Sequence, residues 1–374
     1  MKKTVKIAII SASAVAAAAG VLFVAIPLAT SKRAEARLGE AFAEAGIPEG
    51  MWSVDRAYYI PLIGHLVIEK LEFGERGGGA FLEVKKATLA LDTGEKEFFA
   101  GSVDAREVSF SSYDTGIAVK SLSANDFSVD KALFAHSPVK AVKKLGTIRM
   151  SDAVFRQEGR TRFSLGRLNI VSDYAEGKIP LFSSVTLKEL AVNIRQFASL
   201  PALRPEYRIS NFELKTSLSG GVYTVNLVID GANLFMIKAN LDIVSPHSLL
   251  ASGRITDLAE VDYAEDIKID SLSLVYIDKS FLDHGFELAG MSGGRAELAE
   301  QLNETLMMFA ETGGVDAEQR FVDEAAKFIA KPGKFELKTN LDFPMSIREI
   351  SKNLFAMNIS LSINGGKPFT TGEN

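Results

Sequence analysis

The first strong pattern along the chain is an apolar run without a charge. From Ile7 to Thr30 the sequence is mostly Ala, Val, Ile, Leu and Phe, with Ile7, Ile10, Val15, Val21, Phe23, Ile26 and Leu28 as its larger members. About 20 apolar residues are enough to cross a bilayer core, so the run predicts one transmembrane helix. A cleaved signal would have an apolar segment of about 7–15 residues ending at a small-x-small site. Here the small residues Ala16 to Gly20 lie mid-run and Val21 to Ile26 carry it on, so the helix reads as an uncleaved anchor. Lys2, Lys3 and Lys6 precede it; Lys32 and Arg33 follow. A short tri-lysine tail stays in the cytoplasm while a long following domain translocates, which puts the anchor in the inner membrane and the C-terminal domain in the periplasm.

Beyond the anchor the period changes twice. Leu38, Phe42 and Ala45 recur at helical spacing and the pattern stops at Gly46 and Pro48, which predicts a short juxtamembrane helix packed against the first strands. From Met51 to about Asp278 short alternating segments broken by Gly, Asn, Asp and Ser predict strands. Within them apolar residues recur at i, i+2, i+5 and i+7, in Phe163-Leu165-Leu168-Ile170, Val185-Leu187-Leu190-Val192, Ile267-Ile269-Leu272-Leu274 and Ile148-Met150-Ala153-Phe155; Val103-Val108-Phe110 keeps the outer members. Residues two apart share a face of a strand and a step of three leaves it, so each unit predicts a bulge or bend at its middle. Val225, Leu227 and Ile229, the turn residues Asp230-Gly231, then Leu234, Met236, Leu241 and Ile243 predict a hairpin over Tyr223 to Val244.

Helical spacing returns from Asp278 to Lys331. Ser280-Phe281-Leu282-Asp283 is a capping-box pattern opening one helix; Leu298 to Phe309 predicts a second and Asp316 to Ile329 a third, before Pro332-Gly333. Strand patterns resume at Phe335-Leu337, Leu341-Phe343 and Met357 to Ile363. The expected architecture is mainly β (α+β): an elongated, curved antiparallel sheet with bent-strand repeats and a helical insertion before its last strands. Its segments are 1–33 (tail and anchor), 34–50 (helix and linker), 51–278 (β domain), 279–332 (helical insertion) and 333–374 (closing strands).

Composition narrows the function more than it assigns one. A chain of 374 residues with 47% hydrophobic and 24% charged residues can build a sizeable core. A net charge of −5 supplies no basic field for nucleic acid, and the absence of cysteine excludes disulfides and thiolate chemistry. The histidines are His65, His136, His247 and His284, none with a second ligand at metal spacing; His284 reads as a solvated helix side chain. Gly77-Gly78-Gly79 and Gly220-Gly221 lie between strands and read as turns, not phosphate cradles. Asp262 with Glu265-Asp266, and the basic clusters Arg204 and Lys140-Lys143-Lys144, read as solvated surface. No catalytic, metal or cofactor site emerges, and the expectation is a non-enzyme.

An N-terminal anchor followed by repeated bent-strand units resembles the AsmA-type and YdgA-type proteins of the bacterial envelope. The C-terminal third, from "IDSLSLVYIDKSFLDHGFELAG" through "FIAKPGKFELKTNLDFPMSI", resembles anchored bacterial proteins in which an acidic residue leads from a strand into a helical insertion followed by two prolines, matched here by Asp278, Pro332 and Pro344. The resemblance implies a periplasmic β-rich domain with a hydrophobic groove for phospholipid. The expected partners are therefore the membrane, a phospholipid or another envelope protein. Leu165, Leu168, Leu187, Leu190, Leu272 and Leu274 are the candidates for lining the groove or filling a core.

Overall fold

The computed structural model describes residues 31–44, 48–60, 64–74, 79–93, 97–130, 142–175, 182–193, 206–244, 267–289, 300, 316–339, 341–352 and 358–370. The predicted anchor lies outside them; among the described residues no helix is long and apolar enough to cross a membrane. The fold is mainly β, and its described pairings are antiparallel, as the alternation of the sequence requires. Two compact units, Met1–Glu176 and Gly177–Asn374, divide the chain within the stretch 51–278.

The first unit holds helix α1 (Ser31–Glu44) and strands β1 (Trp52–Ile60), β2 (His65–Gly74), β3 (Ala80–Thr93), β4 (Glu97–Ser112), β5 (Thr115–Asp130), β6 (Val142–Gln157) and β7 (Arg160–Ala175). Each strand pairs with the next in sequence. Ala34, Leu38 and Phe42 are buried on one face of α1, and the Phe42 ring meets Trp52 (4.6 Å) and Phe73 (5.5 Å). The Glu35 carboxylate accepts the Ala57 amide of β1 at 3.4 Å, so the helix also occupies a backbone donor on that strand.

The second unit holds β8 (Phe182–Asn193), β9 (Glu206–Ser219), β10 (Val222–Asp230), β11 (Phe235–Val244), β12 (Lys268–Asp278), α2 (Phe281–Ala289), α3 (Asp316–Ala330), β13 (Lys334–Thr339), β14 (Met345–Ser346), α4 (Ile347–Lys352), β15 (Ile359–Ile363) and β16 (Phe369–Thr370). Consecutive strands again pair, except that β13 pairs with β15 and the two-residue β14 pairs with the start of β12. The expected hairpin is β10–β11. Gly220 and Gly221 form the β9–β10 turn with φ of 59° and 83°, the doubly left-handed geometry that a two-residue hairpin loop demands.

Each step of three in the sequence coincides with a break in the ladder. In β4, Val108 and Arg106 pair with Val84 and Lys86, while Glu107 and Lys85 between them do not pair. The same lapse falls at Lys70 of β2, Asp152 of β6 and Glu189 of β8, and at the residues opposite them. Lys70, Glu107, Asp152 and Glu189 are left-handed (φ 49–56°). Two adjacent outward residues thus separate two inward ones, and the apolar side chains stay on one face across the break. In β12 the irregularity falls at Asp270, and β12 pairs with β14 before it and with β13 after it.

Two local expectations change. Leu341-Phe343 is not a strand; it leads through Pro344 into β14 and α4, where the Ser346 amide donates to Glu349 (2.7 Å) and the Glu349 amide to the Ser346 hydroxyl (3.2 Å). That reciprocal cap follows the Ser-x-x-Glu spacing and outweighs a three-residue apolar pattern. Ser280 does not cap α2 with its side chain. Its hydroxyl donates to the Asn233 carbonyl (2.9 Å), and the Asp278 carboxylate instead accepts the Leu282 amide (3.1 Å). The predicted helix over Leu298 to Phe309 lies outside the described residues, apart from residue 300.

A non-glycine residue held left-handed costs about 1–3 kcal/mol, whereas the surface ion pair of Asp152 with Lys120 (3.4 Å) contributes less. Asp152→Gly is therefore expected to raise stability by about 1 kcal/mol, and Asp152→Val to lower it by about as much or more. Urea unfolding monitored by circular dichroism checks both.

Candidate functional site

The registers assemble the inward residues into apolar rows running across the strands. In the first unit one row is Ala57-Ile68-Ala87-Ala105-Leu122-Met150-Leu168 from β1 to β7, and the next is Val54-Leu71-Val84-Val108-Val119-Ala153-Leu165. Burial grades along them. Residues of β2 to β4 are buried, whereas Leu122, Met150, Leu168 and Leu165 are only half-buried. A third row ends on the stacked rings of Phe155 and Phe163 (4.8 Å), with Phe163 41% exposed. Leu165 and Leu168 thus lie where the cover of this face runs out.

In the second unit the corresponding rows are Val185-Leu214-Leu227-Ala239-Leu274-Leu337-Leu361-Phe369 and Leu187-Phe212-Ile229-Ile237-Tyr276-Phe335-Ile363. Leu190 pairs with Ile209 beyond the break at Glu189, and Leu272 with Leu241. The four candidate leucines of this unit are on its apolar face, and all four are half-buried. Opposite them runs a polar row, Ser184-Lys215-Asn226-Asn240-Ser273-Lys338-Ser360-Thr370. Of the apolar row only Leu361 is fully buried, at 1% exposure.

Helices cover part of that face. Phe328 of α3 meets Tyr276 (5.9 Å) and Phe335 (5.7 Å) edge-on, and Phe281 of α2 meets Phe235 (5.2 Å). His284 of α2 is buried and hydrogen-bonded through Nε2 to the Tyr207 hydroxyl of β9. This corrects its reading as a solvated side chain: the apolar face receives it, and Tyr207 satisfies a ring nitrogen that would otherwise be costly to bury.

The insertion leaves and rejoins the sheet at one polar joint. The Asp278 carboxylate accepts the Tyr276 hydroxyl (2.8 Å) as well as the Leu282 amide, and the Asp278 amide donates to the Gly333 carbonyl (2.7 Å). The Leu234 carbonyl accepts the amides of Lys279, Ser280 and Phe281 (2.8–3.1 Å), while Lys279 Nζ donates to Asp230 (2.8 Å) and to the Ala232 carbonyl (2.7 Å). Burial, with the Asp278 carboxylate as a second cause, pushes the Tyr276 hydroxyl well above its ordinary value. At the surface, the hydrogen bond from Lys334 holds the Glu336 carboxyl below its usual range.

Among the described residues no cluster of His, Asp and Glu is disposed to hold a metal. His136, His247, Lys140, Arg204, Asp262, Glu265 and Asp266 lie outside the described residues, and Lys143 and Lys144 are strand residues whose side chains are not described. Asp278 was legible as the acidic residue before a helix. Tyr207 was not, since it lies 77 positions from His284 in no shared pattern.

A family model described only as "Uncharacterized protein" matches residues 224–362, which run from β10 to β15 and include the whole joint. No curated protein matches the chain.

Uneven cover sets uneven mutational costs. Leu361→Ala, at a fully buried site, is expected to cost about 3 kcal/mol, and Leu274→Ala, half-buried in the same row, about 1 kcal/mol; thermal unfolding distinguishes them. A raised tyrosine pKa means that folding favours the protonated hydroxyl. That contribution is complete below the ordinary value of 10.0 and is lost as pH rises above it. Tyr276→Phe is expected to lower neutral-pH stability by about 1 kcal/mol and to flatten the alkaline loss; urea midpoints from about pH 9 to about 12 test the sign.

Proposed function

We propose that this chain is a non-enzymatic protein of the bacterial envelope, anchored in the inner membrane by Ile7–Thr30. Its β structure stands in the periplasm and offers an apolar face to phospholipid acyl chains. One observation carries the reading: rows of aliphatic side chains extend across seven or more strands, yet Leu122, Met150, Leu165 and Leu168 of β5–β7 and the row members of β8–β12 are only half-buried. Extended apolar surface of this kind marks a binding face, because soluble proteins rarely leave it bare. The apolar run and the resemblance to AsmA-type proteins support the placement and the ligand class.

A second reading is a docking module for another envelope protein, with the helical insertion closing the sheet. The seating of Phe328 on Tyr276 and Phe335 favours it locally. A photo-crosslinking residue at Leu165 or Leu187, activated in intact cells, separates the two. Acyl-chain adducts at both positions are expected; one dominant protein adduct would transfer the face to docking, and no adduct at either site would sink both readings.

A further inference from the structure

The polar face of the first unit carries cations that the fold does not use. At the break line the charged residues are matched: Lys85 pairs with Glu107 (2.7 Å) and Lys120 with Asp152 (3.4 Å). One residue along, Lys86 and Arg106 sit directly opposite each other on β3 and β4. A like-charged cross-strand pair destabilises a sheet. Both are exposed, and neither has an ion-pair partner among the described residues. The row continues through Ser121 and Ser151, hydroxyls 2.7 Å apart, to exposed Arg167 on β7, with exposed Arg149 in the adjoining row. Of the nearby acids Glu107 and Asp152 are engaged with Lys85 and Lys120, Asp104 faces Ser123, Glu83 lies between Glu72 and Ser109, and Glu69 of β2 sits opposite Lys86 on its other side. On a chain of net charge −5, this is a local cationic surplus held in place by rigid strands.

From these placements we infer that the polar face of β3–β7 docks on the phosphate-bearing headgroups of an anionic bilayer. The face spans five strands, about 19 Å at ordinary strand spacing, which suits a surface better than a single ion. Its depression, about 400 Å³, is lined by Glu83 as well as by the paired Lys85, Glu107, Lys120 and Asp152, so it has no surplus of positive charge and offers no pocket for a small anion. The first unit also follows the apolar run most closely: α1 begins at Ser31 and β1 at Trp52. In this respect the inference rests on the anchor proposed above. Lys and Arg near an anionic leaflet act additively and through space, so spaced cations on one face suffice.

The absence of native cysteine allows a clean probe. Full-length chain carrying Ser123→Cys, labelled with a fluorophore, is reconstituted into vesicles of phosphatidylcholine alone or with about one quarter phosphatidylglycerol, each containing a headgroup-nitroxide quencher. Quenching is expected in the anionic vesicles, strongly reduced by about 0.5 M NaCl. The Lys86→Gln/Arg106→Gln variant is expected to lower the docked-to-undocked ratio about 25-fold, about fivefold per cation. Equal quenching in both lipids, insensitivity to salt, or no quenching overturns the inference. Flotation of the same samples isolates the cause: a chain that floats unquenched refutes the docking face alone, and a chain that does not float refutes the anchor itself.

Discussion

Everything in this molecule depends on keeping apolar side chains on one face of strands that are too long to run straight. A slip of one residue turns a strand inside out. The chain avoids it by placing two outward residues together at one level of each strand from β1 to β9, with β2, β4, β6 and β8 holding a polar residue in the left-handed conformation there. The cost is local strain; the return is that rows such as Ala57 to Leu168 stay in line from β1 to β7. Charges at the break line then sit opposite each other, and Lys70 with Asp55, Lys85 with Glu107 and Lys120 with Asp152 are paired where the backbone ladder lapses.

Coherent rows produce two unlike faces, and the helices cover part of the apolar one. In the first unit Phe42 packs with Trp52 and Phe73 and seals the early strands, leaving the later ones thinly covered. In the second, α2 and α3 rest on aromatic contacts around Phe235, Tyr276 and Phe335 while the aliphatic rows beyond stay half-open. Cover is uneven along these rows: Leu361 is fully buried among its neighbours, whereas Leu187 is half-buried.

Patterns of local origin were legible in the sequence. The two-residue glycine turn, the hairpin at 222–244 and the step of three each depend on residues adjacent along the chain, so spacing alone exposed them. Leu165, Leu187 and Leu274 belong to that same spacing. Features made by the fold were not legible. Tyr207 satisfies His284 only because β9 and α2 meet, and a lone histidine between Asp283 and Gly285 reads as solvated until that contact is known. The cap of α4 stands in the spacing of Ser346 and Glu349, and Pro344 keeps the apolar Leu341-Phe343 from extending as a strand.

Strand order has a kinetic consequence. Within each unit nearly every strand bonds to the one made just before it, so each new hairpin closes a short loop on an edge already present. Large β proteins are ordinarily slow to fold because distant segments must find one another first. A meander escapes that search, growing from its first hairpin in the order of synthesis, with each added strand masking the exposed edge of the last. The largest detour among the described pairings is the return from Asp278 to Lys334, and there the joint at Leu234, Asp278 and Gly333 brings the two ends of the insertion back beside each other.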